Sequence, residues 1–169
     1  MFQINDTVMY GTYGVCKIVD ITTKDFLGTL KEYYVLKPTS DKTSTLFVPM
    51  QNEKMIEKMR RILSEEEVYQ LIEAMPLEEA SWIENENARK EQYKKIISEG
   101  NHIALIRMIK AIYLQKMKRE AEGKHLYISD ERFFKEAERI LYEEFQYVLN
   151  IKKEELLLLI FQKIEELQS

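Results

Sequence analysis

The chain has 169 residues, 45% of them hydrophobic and 32% charged, with a net charge of −4 and one cysteine, Cys16. That length supports one fair core or two small ones, five Gly and three Pro argue against a disordered chain, and a lone cysteine excludes an internal disulfide. The longest apolar run, Leu156 to Phe161, is too short to span a bilayer, and the first dozen residues lack the basic and apolar stretches of a signal peptide, so a cytoplasmic protein with no membrane partner is expected.

The first fifty residues alternate as short strands do: TVMY, VCKIVDITTKDF, TLKEYYVLKP and STLFVP. GTYG and the Leu27–Gly28 pair punctuate them, and Pro38 to Lys42 reads as a polar loop. Short strands with small turns and no helix between them predict an antiparallel sheet closing into a Tudor-like β-barrel. After Pro49 the period becomes helical, and the joint is expected near Met50 to Lys58. This gives an α+β chain with a barrel over residues 1–52 and an all-α helical bundle over residues 53–169.

Within the second half, residues 65–74 predict a short helix ending before Pro76. Ser81 followed by Glu84 has capping-box spacing, which predicts a helix from there to Ser98 with Gly100 as its stop. Asn101 caps the next helix, whose apolar face is expected to be Ile103, Ile106, Ile109, Ile112, Tyr113 and Met117. Ser129 opens a further helix with Asp130 and Glu131 in its favourable first turn, and Phe133, Ala137, Ile140, Leu141, Phe145 and Val148 form its stripe. A last helix covers about Lys152 to Leu167. Its apolar face, Leu156, Leu157, Ile160, Phe161 and Ile164, packs on the bundle or serves self-association; a monomer is expected over a homodimer.

Charge is uneven. Residues 63–86 hold eight Glu and no Lys or Arg, whereas residues 87–119 hold nine Lys or Arg against two Glu. The basic block falls on two consecutive helices and is either an ordinary solvated face or a phosphate-binding surface. At its head stands Trp82, the only tryptophan, which the Ser81 cap would place on the first helical turn. It either packs under a loop such as Met75 to Leu77 or stands exposed beside the basic surface. His102 and His125 have no metal-ligand spacing to each other or to Cys16, and no nucleophile constellation or phosphate loop is present. No catalytic residue, metal or cofactor is therefore assigned. Adjacent glutamates such as Glu143 and Glu144 read as solvated faces.

FQINDTVMYGTYGVCKIVDI, LGTLKEYYVLKP, the strand end FVP, Trp82, YKKIISEG, IRMIKAIY and AERILYEEF together resemble the CarD family of bacterial transcription regulators, over nearly the whole chain to about residue 150. The resemblance implies a non-enzymatic regulator. Its N-terminal module would bind the RNA polymerase β subunit through an exposed strand edge. Its helical domain would bind promoter DNA at the upstream edge of the bubble, where the family's tryptophan acts as a wedge that stabilises the open complex. By resemblance Trp82 takes the wedge role, and Arg89 and Lys110 match basic DNA contacts; DNA binding is expected either to be weaker than in the family or to rely on Lys90, Lys94 and Lys95. On the barrel, Lys24 matches a basic polymerase contact, and Leu46, Phe47 and Val48 fall on the contacting strand, Phe47 replacing a basic residue. The pattern departs further beside Trp82: Glu84, Asn85, Glu86 and Asn87 stand where the family has a basic pair, and Trp82 to Gly100 is four residues longer than the family spacing, one helical turn or ~6 Å if the whole stretch is helical. A protein-interaction adaptor, whose helical half binds a protein instead of DNA, is the competing expectation.

Overall fold

Val8, Tyr10, Cys16, Ile18, Tyr34, Leu36 and Val48 occupy alternate positions of their strands, and all lie in one core together with Met59. In the computed structural model, which describes residues 1–168, these strands are β1 (Thr7–Tyr10), β2 (Val15–Phe26), β3 (Thr29–Pro38) and β4 (Leu46–Pro49). A short helix α1 (Glu53–Ile56), capped by the Asn52 side chain, leads to β5 (Met59–Arg61). The strands form one antiparallel sheet in the order β4-β3-β2-β1-β5. All five send residues into the same cluster, so the sheet wraps its core as a barrel does, while β4 and β5 stay at the two ends of the hydrogen-bonded order.

Two local features shape the sheet. Leu27 and Gly28 both have positive φ, 51° and 82°, which is the two-residue turn whose twist suits a right-handed hairpin. Between Ile18 and Asp20 the β2–β3 register shifts by a bulge, after which the hairpin continues to exposed Phe26, Leu27 and Leu30. The chain divides into two compact units, residues 1–62 and the residues from Leu63 onward. Residues 53–62, which the sequence pattern groups with the helices, thus supply α1 and β5 to the sheet unit, and β5 pairs with β1.

The helical unit begins with α2 (Glu65–Ala74), where Ser64 and Glu67 form a reciprocal capping box, followed by a 3-10 turn at Met75–Leu77. Then come α3 (Glu86–Glu99), α4 (His102–Ala121), α5 (Ile128–Leu149) and α6 (Lys153–Gln168). Gly100 ends α3 in the left-handed conformation and Asn101 caps α4 through its side chain, as their residue types predict. Leu105, Ile112, Ala137, Ile140, Leu141, Phe145 and Leu156 are buried in this unit. The described helices include none long and apolar enough to cross a membrane.

Several expectations are corrected. The α3 cap is Asn85, whose side chain accepts from the Ala88 amide, and Ser81 lies outside the helix. Trp82 is therefore in an irregular strap of residues 78–85, not on a first turn. The four extra residues do not carry it outward along a helix axis. Tyr113 and Met117 are each 50% exposed: four residues apart, they share a face of α4 that is open, and the last buried residue of the helix is Ile112. Glu144 is fully buried instead of solvated: it accepts from the Leu63 amide and bonds His102 Nε2 at 2.8 Å. On α6, Leu156 and Ile160 are buried, whereas Leu157, Leu158 and Phe161 remain exposed.

Candidate polymerase and nucleic-acid interfaces

In the sheet unit, strand alternation sorts the four residues assigned to polymerase binding onto two faces. Val48 is fully buried in the core, and Leu46 packs against that core from the side. Val48 offers no side chain as a contact, and Leu46 offers only part of its own. Phe47, between them, points outward and is 40% exposed. Lys24, exposed on β2, places its ammonium 3.6 Å from the Phe47 ring centroid, and Tyr33 on β3 meets the same ring edge-on at 6.4 Å between centroids. Lys24 and Phe47 thus form one outer patch, an ammonium over an aromatic face, with Tyr33 completing it. Register explains the grouping: Thr22 pairs with Tyr33, Lys24 with Lys31 and Val35 with Phe47, so all lie on the outer side. β4 also ends the sheet order, which leaves one side of its backbone without a neighbouring strand among the described residues.

In the helical unit, the residues assigned to DNA separate into two kinds. Arg89 is 2% exposed and Asp130 is fully buried. The guanidinium donates from Nε to Asp130 Oδ1 at 2.8 Å and from Nη2 to Oδ2 at 2.9 Å, a two-pronged pair. Its remaining nitrogen, Nη1, donates to the carbonyls of Ile83 at 2.9 Å and Glu84 at 3.4 Å. Its carbon lies 4.4 Å from the centroid of the half-buried Trp82 ring. Burial weakens the guanidinium's hold on its proton, but the Asp130 carboxylate outweighs that and keeps the Arg89 pKa raised. Arg89 is thus not presented to a phosphate, and Asp130 is its partner more than a macrodipole ornament.

Lys110 is likewise engaged. Its ammonium donates to the carbonyls of Met75, Pro76 and Glu78 at 3.5, 2.9 and 2.7 Å, which satisfies oxygens left unpaired after α2. Beside it Arg107 Nε bonds Glu78 Oε2 at 2.8 Å. Lys90 shares an exposed ion pair with Glu86 at 3.0 Å on the same helix face. Lys94 and Lys95 are exposed and have no ion-pair partner among the described residues. An open groove of about 420 Å³, bordered by Leu77 to Ser81 and Arg107, runs along the strap.

Sequence reasoning missed Asp130, Glu144 and the structural roles of Arg89 and Lys110, yet a signal was there. Arg89, Tyr93 and Ile97 recur every four residues on one helix face, and Asp130 stands seven residues before Ala137 on another buried stripe. A charged residue in register with an apolar stripe is a candidate for a buried pair.

Residues 2–63 match the family model of the CarD-like/TRCF RID domain. The match covers β1 to β5 and ends one residue past the first compact unit. The chain carries a CarD-like/TRCF RID domain at its N-terminus, followed by a helical domain, an arrangement consistent with the CarD family. No curated protein matches the chain. Among the described residues no group of His, Cys, Asp or Glu is placed to hold a metal ion.

Proposed function

We propose that the protein is a non-enzymatic transcription regulator that binds the RNA polymerase β subunit with its N-terminal unit and promoter DNA with its helical unit, acting as a monomer. The observation that carries this reading is the CarD-like/TRCF RID match over residues 2–63. The polymerase contact is assigned to the free edge of β4 and the outer patch of Lys24 and Phe47. An edge strand supplies unpaired backbone groups for strand addition, and the patch supplies a cation and an aromatic ring for selectivity. Leu46 and Val48 contribute through their backbone. In the helical unit Trp82 is the wedge at the upstream edge of the bubble, entering at a step already partly unstacked, and Lys90 and Lys94 neutralise nearby phosphates. Arg89 and Lys110 act behind that surface.

Capture of polymerase by the full-length protein tests the first half. Lys24→Glu and Phe47→Ala are each expected to weaken retention of the β subunit, while a substitution at exposed Tyr147 on α5 leaves it unchanged. Normal capture by both patch variants would place the interface elsewhere.

A second reading, an adaptor whose helical unit binds protein, draws on exposed Leu157, Leu158 and Phe161 of α6 and on the internal engagement of Arg89 and Lys110. Salt separates the two. Phosphate contacts make DNA binding fall steeply as salt rises, whereas an apolar protein interface is far less sensitive.

A further inference from the structure

We propose that Arg89 and Asp130 are positioning residues for Trp82: the buried pair locks the strap of residues 78–85 so that the indole is held in one fixed pose. The proposal rests on the wedge reading only for its consequence on promoters; the lock itself is independent of it.

The geometry is specific to this task. Two of the three guanidinium nitrogens engage both oxygens of the fully buried Asp130, which fixes the plane of the group on α5. The third engages Ile83 and Glu84, the two residues following Trp82. The face of the same group lies against the indole. A pair serving only the stability of the bundle would need the first two bonds; the other contacts all go to the strap. The far end of the strap is fastened separately, by Lys110 to the carbonyls of Pro76 and Glu78 and by Arg107 to the Glu78 carboxylate. Only Glu79, Ala80, Ser81 and Trp82 lie between the two fastenings. An irregular segment without helical hydrogen bonds is ordinarily mobile, and fastening it removes in advance the ordering that DNA binding would otherwise require. Arginine is needed because lysine, a point charge, cannot hold a carboxylate with two parallel bonds and two carbonyls at once.

Trp82 is the only tryptophan, so its fluorescence reports the strap directly. In the unmodified full-length protein, time-resolved anisotropy should show the indole tumbling with the whole domain, without a large sub-nanosecond component; a dominant fast component overturns the proposal without any variant. Arg89→Lys and Asp130→Asn, checked for fold by far-UV circular dichroism, should raise acrylamide quenching of Trp82 toward that of the unfolded chain. Unchanged quenching in a folded variant also overturns it. On a promoter complex, the folded variant should lose the same share of open-complex lifetime as Trp82→Ala loses. If Trp82→Ala shortens the lifetime but the loosened variant does not, fixation is irrelevant and the proposal falls. If quenching rises and no variant, Trp82→Ala included, alters the lifetime, the lock stands and the wedge reading fails.

Discussion

Tyr93 is 2% exposed, and its buried hydroxyl has no hydrogen-bond partner among the described residues. Burial raises its pKa from 10.0 to about 12, with the Asp130 carboxylate adding to the shift. A buried hydroxyl that makes no bond costs its desolvation, so Tyr93→Phe is expected to leave stability unchanged or raise it by about 1 kcal/mol in urea unfolding. The pH dependence has a fixed sign. The folded protein holds the phenol proton more tightly than the unfolded chain, so this contribution is fully present below pH 10.0 and is lost as pH rises toward about 12. Tyr93→Phe should flatten the alkaline loss of stability over that window; an identical loss in both proteins would mean that Tyr93 is not its source. The ring meets Phe133 edge-on at 5.7 Å, and phenylalanine keeps that contact.

Among the elements, those defined by neighbouring residues were legible and those defined by distant partners were not. The β2–β3 hairpin reads directly from VCKIVDITTKDF, Leu27–Gly28 and TLKEYYVLKP, because strand period and turn chemistry are local. The α3 stop at Gly100 and the α4 cap at Asn101 are equally local. The start of α3 is ambiguous in the sequence because Ser81 and Asn85 are both acceptable caps, and the choice falls to a side chain eight residues beyond Ser81. Arg89 takes the carbonyls of Ile83 and Glu84, which keeps them out of a helical turn and leaves Asn85 as the first residue able to cap. The same cause hides the buried pairs. Asp130 is 41 residues from Arg89 and Glu144 is 42 from His102, and nothing short of the folded helix packing tells such a residue from one on a solvated face. On the sheet, Val48 and Phe47 were grouped by sequence adjacency, yet the two-residue period sends one inward and the other outward.

At the scale of the molecule, the sheet unit is complete only with β5. Met59 belongs to its core, Arg61 and Arg60 pair with Val8 and Met9, and Gly11 donates its amide to the Lys58 carbonyl. A fragment of residues 1–55 lacks these and exposes the edge of β1, whereas residues 1–62 contain every strand. Residues 1–62 are expected to fold alone and unfold cooperatively, and residues 1–55 to be markedly less stable or aggregated; equal thermal stability of the two fragments would contradict the assignment of β5 as structural. In the helical unit the strap is fastened at Glu78 by Lys110 and Arg107 and at Ile83 and Glu84 by Arg89, with Trp82 between them.

On the proposed reading this indole stabilises melted promoter DNA. The most direct measurement is the lifetime of the open complex, followed by competitor challenge, with full-length protein at saturating concentration and with Trp82→Ala at the same saturation. A wedge contributing roughly 1.4 kcal/mol predicts a lifetime shorter by about tenfold for the variant, with polymerase capture intact. An unchanged lifetime at full occupancy would mean that Trp82 is not a wedge.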